Sequence, residues 1–260
     1  MKYFFITSLG RSGTKFFASM LNKSSEVMCF HEPYREDYVN LLLSYYAGDL
    51  KALETNLQER FKDVERKISG NSSCNYYGEV NSLLRYNTIW LKENLNAKVA
   101  HVVRDPKKVV PSIYSRNVYK EGGSHLEIVP NNANAYASQW LKMSRFEKIC
   151  WYWTHTNNRL SDDLERCFKF EDLISDYSKF QELINYLEIP MLSESVWKTE
   201  VSKPKNTSKT AIFRVKAKSM LQFKESDVEL IGGYNEWTED MKKSFNAICG
   251  DTAKKMGYGI

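Results

Sequence analysis

A strongly apolar run near the start of the chain is followed by a loop of small residues, and this order restricts the folds that the chain can adopt. The apolar run covers residues 3–6, the loop continues to Gly13, and apolar residues then recur at helical spacing from Phe16. A strand that enters a helix through such a loop presents the free N–H groups of the helix N-terminus, where the helix dipole favours an anion. The pattern predicts a loop that binds phosphate or sulfate, and a simple helix-capping turn is the alternative.

The residue types in the loop suit an anion individually. Gly10 and Gly13 permit positive φ and a close approach of the backbone, Ser12 and Thr14 offer hydroxyl donors, and Arg11 supplies a fixed charge with a planar set of donors. The loop cannot be aligned with Gly-x-x-x-x-Gly-Lys-Ser/Thr, the phosphate loop of common nucleoside triphosphatases. The chemistry predicted here is therefore other than ordinary ATP hydrolysis.

Length and composition are those of one globular domain. The chain has 260 residues, of which 42% are hydrophobic, and this is enough for a substantial core, so we predict a single domain over residues 1–260. The net charge of +5 does not by itself call for a nucleic acid. Residues 198–218 carry seven basic residues and one acidic residue, so the excess of positive charge is concentrated there. A local anionic partner is plausible for this segment.

The cysteines and histidines argue against disulfides and metal. The five cysteines are widely spaced, odd in number and free of Cys-x-x-Cys, and none of the four histidines lies at ligand spacing from another. We predict free thiols in a reducing compartment and no metal site. Neither a signal peptide nor an apolar run of membrane-spanning length is recognisable, so a cytoplasmic protein without a membrane span is expected.

Strand patterns alternate with helix patterns along the chain. Strands are predicted over residues 3–6, 27–30, 76–80 and 98–103, and helical spacing is found over residues 38–68, with a break near Gly48, over 82–95 and over 135–160. This alternation is typical of an α/β fold with a central parallel sheet flanked by helices on both faces. In such a sheet ligands bind at the carboxyl ends of the strands.

Polar residues follow two of the predicted strands at that edge. His31 and Glu32 follow the second strand, and alternation along the strand is expected to turn the two side chains in opposite directions. Arg104 follows the fourth strand, before a helix on which Ser112 and Arg116 are four residues apart and should share a face. Glu32 is thus a candidate for proton transfer, and the other three residues form a candidate second anion site.

The loop after the first strand and the motif that begins at Arg104 together resemble those of the sulfotransferases that use 3′-phosphoadenosine 5′-phosphosulfate (PAPS). In that family Arg or Lys followed by Ser-Gly-Thr grips the 5′-phosphosulfate, as residues 11–14 would here, and an Arg followed eight residues later by Ser grips the 3′-phosphate, as Arg104 and Ser112 would. The tyrosylprotein sulfotransferases have a second Arg twelve residues after the first, the place of Arg116. Their glutamate base lies twenty-one residues after the Arg of the loop, the place of Glu32.

The resemblance implies a P-loop-NTPase-like sulfotransferase fold, PAPS as co-substrate, adenosine 3′,5′-bisphosphate (PAP) as product and no metal. Glu32 would be the base and Arg11 would stabilise charge, but His31 could be the base with Glu32 orienting it. The residues implied in nucleotide binding are Gly10, Arg11, Ser12, Gly13, Thr14, Lys15, Phe16, Arg104, Ser112, Arg116, Phe170, Ser208, Lys209 and Arg214. Phe16 could pack on the adenine or belong to the core.

At two places the sequence departs from the motifs of the family. Phe170 replaces the Tyr of a Tyr-Glu-Asp-Leu motif, and residues 230–233 lack the Arg-Lys-Gly clamp of the cytosolic members. Ser208, Lys209 and Arg214 are the candidates to replace that clamp. The partner implied is a hydroxyl-bearing acceptor, such as a glycan, a lipid-linked sugar, a small metabolite or a peptide tyrosine, rather than a nucleic acid.

Two other functions stay open. A small-molecule kinase would need a Lys on the β/γ-phosphates and an acidic magnesium ligand, for which Lys15 is one place late and Asp105 is the best candidate. A nucleotide- or RNA-binding protein without catalysis would use the basic segment over residues 198–218, and its binding would depend strongly on salt.

Overall fold

The computed structural model describes residues 1–69, 74–116, 118–121, 128–203 and 229–260. These residues belong to two compact units, of which the first consists of Met1–Val103 and Asn157–Val201 and the second of Arg104–Thr156 and Ser202–Ile260. The prediction of a single domain stays a prediction. In the described part of the chain, no helix combines the length and the apolar character needed to cross a membrane.

The first unit is built on a parallel sheet with the strand order β2-β3-β1-β4-β5. The strands are β1 (Lys2–Thr7), β2 (Val27–His31), β3 (Tyr76–Val80), β4 (Lys98–Val103) and β5 (Cys167–Lys169). The predicted α/β class and the strands predicted from the sequence are confirmed. Since neighbouring strands are parallel, their carboxyl ends meet at one edge.

Helices connect the strands and continue through both units. They are α1 (Thr14–Leu21), α2 (Asp37–Tyr45), α3 (Leu50–Ile68), α4 (Thr88–Leu95), α5 (Pro106–Tyr114), α6 (Arg145–Asp163), α7 (Phe170–Ser175), α8 (Tyr177–Leu187), α9 (Glu194–Val201) and α10 (Glu239–Lys255). Short 3₁₀ segments cover Ala137–Lys142 and Tyr234–Glu236. The predicted break between α2 and α3 is confirmed, and Asp49 there caps α3 by accepting a hydrogen bond from the N–H of Ala52 (2.9 Å).

Alternation along β1 sends apolar side chains to both faces of the sheet. Phe4 and Ile6 join a core that includes Phe17 of α1 and Phe180 of α8. Phe5 joins a second core with residues of α3, among them Phe61, which it meets edge-to-face. A strand buried on both faces reads as a continuous apolar run, and this explains why the first strand is so evident in the sequence.

Two of the predicted helices begin later than expected. The helix predicted over residues 82–95 starts only at Thr88, because the side chain of Asn81 accepts a hydrogen bond from the N–H of Leu83 and holds a turn there. The helix predicted over residues 135–160 is divided into the 3₁₀ segment and α6. The reciprocal hydrogen bonds between Ser144 and Glu147 form a capping box that starts a new helix at this point.

The second unit holds its helices together largely through aromatic side chains. Trp237 contacts Phe146 and Phe245 edge-to-face, with ring centroids 5.0 Å and 5.1 Å apart, and Thr154 of α6 donates a hydrogen bond to the carbonyl of Ile248 in α10. The cluster therefore packs α6 against the closing helix, and its aromatic residues belong to the core of this unit.

Candidate functional site

The loop after β1 turns sharply to begin α1. Arg11 (φ 76°) and Gly13 (φ 80°) both have left-handed backbone conformations, and the carbonyl of Gly13 accepts the N–H of Phe16 and that of Phe17. Ser12 is buried and donates its hydroxyl hydrogen to the carbonyl of Leu9 (2.9 Å), which closes the loop internally. A curled backbone at a helix N-terminus is an arrangement that can bind an anion, as the sequence predicts for this loop.

Gly13 is required by both its conformation and its surroundings. A Cβ atom at this position would lie 2.1 Å from the ring of Phe170, the first residue of α7. The ring of Phe170 also meets Phe16 and Phe17 edge-to-face, with centroids 6.4 Å and 5.9 Å apart. Phe16 itself is buried, and Lys15 is exposed. Phe16 and Phe170 thus pack beneath the loop and fix its shape.

Thr14 connects the loop to the end of β2. Its Oγ1 lies 2.8 Å from Nε2 of His31. Burial lowers the pKa of His31; Glu32 opposes this effect, and Lys15 adds to it. His31 is therefore a neutral imidazole at neutral pH, and its Nε2 is engaged with the first residue of α1.

Glu32 occupies an unusual backbone position just beyond β2. Its φ of 43° is left-handed, a conformation that few residues other than glycine adopt. The hydroxyl of Ser82 donates a hydrogen bond to Oε1 of Glu32, and Oε2 lies 3.8 Å from Nε2 of His31. Strand alternation is expected to separate His31 from Glu32, and this expectation is wrong, because the left-handed residue takes the chain out of the strand and brings the two side chains together.

The strand register places these residues at one level of the sheet. Val80 of β3 pairs with Ile6 of β1 on one side and with His31 of β2 on the other. The anion loop, Glu32 and Ser82 therefore begin within two residues of the same row, at the carboxyl edge. The sheet thus brings together the predicted anion loop, both candidate bases and a serine that sequence reasoning assigned to a helix.

A buried ionic cluster lies directly below Ser82. Arg60 of α3 donates two hydrogen bonds to the carboxylate of Asp37 (2.6 and 2.7 Å) and one to Glu79 (2.6 Å). Asn81 donates from Nδ2 to Asp37 (2.8 Å) and to Glu79 (2.9 Å), and Tyr77 donates to the other oxygen of Glu79 (2.6 Å). All five side chains are buried, and they join the start of α2, the middle of α3 and the end of β3.

Sequence reasoning missed Ser82 and this cluster. A polar pair, Asn81 and Ser82, follows directly after the predicted strand over residues 76–80, and the rule that ligands bind at the carboxyl ends of strands could have singled it out. Asp37 and Arg60 carry no comparable signal, because a charged residue on a helix is usually exposed.

The second unit holds the other predicted anion ligands. Asp105 accepts the N–H of Lys107 (2.8 Å) and so caps α5, with Pro106 in the first turn. Ser112 is buried within α5, but Arg116 is exposed and lies beyond the last helical residue, Tyr114. The prediction that Ser112 and Arg116 share a helical face is wrong, because the helix ends first.

Two other placements complete the predicted set. The carbonyl of Arg104 accepts a hydrogen bond from the indole N–H of Trp153 (3.1 Å), which holds the backbone at the start of the second unit. Ser208, Lys209 and Arg214, the candidates for the third nucleotide clamp, lie outside the described residues.

Comparison with known proteins identifies the fold. No protein-family model and no curated protein matches the sequence. Among solved structures, the sulfotransferase domain from the curacin biosynthetic pathway is similar over 100% of this chain and 98% of its own, with a TM-score of 0.51 and 12% identity. Mouse sulfotransferase SULT7A1, crystallised with PAP, is similar over 97% of this chain and 85% of its own, with a TM-score of 0.53 and 13% identity. The fold is thus that of the sulfotransferases, as predicted.

Proposed function

We propose that this chain, which has the sulfotransferase fold, transfers the sulfuryl group of PAPS to an acceptor hydroxyl. The observation that carries the proposal is the contact between Thr14 and His31, 2.8 Å long, which joins the anion loop to the residue beside Glu32. An anion cradle and a carboxylate base next to each other are the two parts that sulfuryl transfer to a hydroxyl requires. The PAP bound to SULT7A1 supports the same nucleotide here.

The loop has the first role. In the proposed complex, Arg11 and the N–H groups at the start of α1 bind the 5′-phosphosulfate. Negative charge develops on the oxygen that bridges sulfur and phosphorus as the bond between this oxygen and sulfur breaks, and donors already in place stabilise that charge without reorganisation. The curled backbone over residues 10–13, held by the hydrogen bond from Ser12 to Leu9, supports such preorganisation.

Glu32 has the second role. Its carboxylate takes the proton of the acceptor hydroxyl while the acceptor oxygen forms a bond to sulfur. The bond between sulfur and the bridging oxygen breaks in line, and its electron pair leaves with the 5′-phosphate of PAP. The products are a sulfate ester, PAP and the proton held on Glu32, so atoms and charge balance without a metal or a redox partner.

The geometry favours Glu32 over His31 as the base. Nε2 of His31 already contacts Thr14, whereas Oε2 of Glu32 lies 3.8 Å from this nitrogen, beyond hydrogen-bond distance. The side chain of Glu32 is also 28% exposed, against 19% for His31. In this assignment His31 positions Thr14 and the loop.

The test of the base is a pair of glutamine variants in a PAPS-dependent assay that measures PAP formation with a panel of hydroxyl acceptors. Glu32→Gln should lower kcat by about 10²- to 10⁴-fold while PAP still binds. His31→Gln keeps a polar partner for Thr14 and should lower kcat far less. If His31→Gln has the larger effect, His31 is the base and Glu32 orients it.

The nucleotide assignment has its own test. We propose that Arg104, Ser112 and Arg116 bind the 3′-phosphate, which distinguishes PAP from ATP and AMP. Calorimetry should therefore give micromolar or tighter binding of PAP, weak binding of ATP and AMP, and loss of PAP binding in Arg104→Ala. Lys108→Ala, an exposed cation on α5, is the matched control and should bind PAP like the wild type. Equal or tighter binding of ATP would favour the kinase alternative.

A further inference from the structure

Glu32 and Ser82 are fifty residues apart in sequence, yet they meet at the ends of two neighbouring strands. Ser82 is buried, at 6% exposure, and its hydroxyl donates a hydrogen bond to Oε1 of Glu32. Within the part of the chain that the structure describes, this hydrogen bond holds Oε1, whereas Oε2 lies 3.8 Å from Nε2 of His31. The hydrogen bond thus selects one orientation of a side chain that would otherwise rotate at a partly exposed position.

The position of Ser82 is fixed from both sides. Oδ1 of Asn81 accepts a hydrogen bond from the N–H of Leu83 (2.9 Å), which closes the turn around Ser82. In the same turn, the guanidinium of Arg85 donates to the carbonyl of Ser82 (2.6 Å). A serine held in this way presents its hydroxyl from a rigid support, which is what a positioning residue needs.

The same amide also anchors the segment that carries Glu32. Nδ2 of Asn81 donates to Asp37, the first residue of α2, and residues 32–36 are the whole connection from β2 to α2. Arg60 holds Asp37 with two further hydrogen bonds and bridges it to Glu79 of β3. The loop that carries Glu32 and the turn that carries Ser82 are therefore both hydrogen-bonded to Asn81. This buried residue sets the distance between the side chains of Glu32 and Ser82.

We propose that Ser82 is a positioning residue that holds Oε1 of Glu32 so that Oε2 receives the proton of the acceptor hydroxyl, with Asn81 keeping the two loops in register. This inference rests on the proposed function. It adds a residue that neither the loop nor the 3′-phosphate motif includes.

The first measurement compares Ser82→Ala with the wild type in the PAPS-dependent assay. Loss of orientation should lower kcat by about 10- to 100-fold, with PAP affinity and the KM for PAPS unchanged. Ser82→Thr retains a hydroxyl and should recover part of the lost kcat. The matched control is Ser44→Ala, which removes another hydroxyl of the first unit that donates to a carbonyl, that of Tyr86 (2.6 Å), and it should leave kcat unchanged.

A double-mutant cycle tests whether Ser82 acts through Glu32. If it does, Ser82→Ala should have little further effect on kcat once Glu32 is already Gln, whereas a separate structural role would lower kcat by the same factor in both backgrounds. Equal factors in both backgrounds would overturn the proposal, as would a kcat for Ser82→Ala equal to that of the wild type.

Two outcomes separate this inference from the proposed function. If the wild type binds PAP and transfers sulfuryl groups but Ser82→Ala is fully active, only the role of Ser82 is lost. If the wild type neither binds PAP nor transfers sulfuryl groups to any acceptor in the panel, both proposals fall. If Ser82→Ala shows no thermal unfolding transition, Ser82→Cys replaces it in the double-mutant cycle, because the thiol stands in the place of the hydroxyl but is a weaker donor.

Discussion

At the scale of single residues, the loop proposed to bind an anion depends on one position that has to be glycine. The backbone of Gly13 is left-handed, and the ring of Phe170 from α7 fills the space in which a Cβ atom would lie. Gly10, three residues earlier in the same loop, has neither restriction, because among the described residues a Cβ atom there would meet Oγ of Ser82 at 3.7 Å, an ordinary van der Waals distance. The two glycines are alike in sequence, yet only one is structurally irreplaceable.

We therefore predict different outcomes for two alanine substitutions. Gly13→Ala should lower the free energy of unfolding by about 2–5 kcal/mol, since backbone strain and overpacking against Phe170 add, and it should abolish PAP binding. Gly10→Ala should cost clearly less stability. Urea unfolding and calorimetry measure both effects, and equal destabilisation by the two variants would contradict the assignment.

A buried histidine makes stability depend on pH. His101 of β4 is buried and lies 3.0 Å from Oδ1 of Asn157, so we take Nε2–H as the donor of a neutral ring. Burial lowers the pKa of His101 from 6.5 to about 4. The unfolded chain takes up a proton first, so this contribution to stability is complete above pH 6.5 and is lost as the pH falls from 6.5 towards 4.

The expected loss is about 3 kcal/mol in the free energy of unfolding between pH 7 and pH 4. His101→Gln retains an amide N–H for Asn157 but cannot titrate, so its stability should fall less over the same range. Urea unfolding at pH 7, 5.5 and 4 makes the comparison. An identical pH dependence in wild type and variant would show that His101 is not the group responsible.

At the scale of elements, α3 stabilises the site through one arginine. Arg60 is the cation between Asp37 of α2 and Glu79 of β3, and its guanidinium also lies over the rings of Tyr34 and Phe61. Both carboxylates are fully buried, so they would remain in the core without a cation if the arginine were removed. Removal of one partner from such a buried cluster lowers the free energy of unfolding by far more than the intact cluster adds to it.

Arg60→Met should accordingly lower the free energy of unfolding by about 3–5 kcal/mol. It should also lower kcat, because the loop of Glu32 loses its anchor at Asp37. Arg66→Met on the same helix removes an exposed cation 3.6 Å from Asp63 and should leave the urea midpoint and kcat unchanged. Similar effects of both variants would mean that helix α3, rather than the buried cluster, determines the result.

At the scale of the whole molecule, nucleotide binding should appear as added stability. A ligand that binds only the folded state stabilises it by about 2.7 kcal/mol at a hundred times its Kd, which corresponds to a rise in Tm of roughly 5–11 °C for a chain of about this size. PAP should produce this rise, and AMP at the same concentration should not. A rise with ATP equal to that with PAP would contradict selection for the 3′-phosphate.

Much of this organisation was predictable, because it depends on local patterns. The apolar run of β1 and the loop that follows predicted a strand, a turn and a helix. Ser82 could not be placed in the same way, because the pattern over residues 82–95 suggested a continuous helix. Its turn depends on the side chain of Asn81 accepting the N–H of Leu83, which competes with helix formation.

Local sequence patterns were enough to predict the parallel α/β fold, the loop proposed to bind an anion and the carboxylate after β2, since each follows from periodicity or from residue types a few positions apart. Which side chains share the candidate site depends on the folded chain. Glu32 meets His31 and Ser82 through a left-handed backbone residue and through the alignment of three strands, and Asp37, Arg60 and Glu79 meet across α2, α3 and β3. Contacts between residues distant in sequence depend on packing and register, which local patterns do not encode.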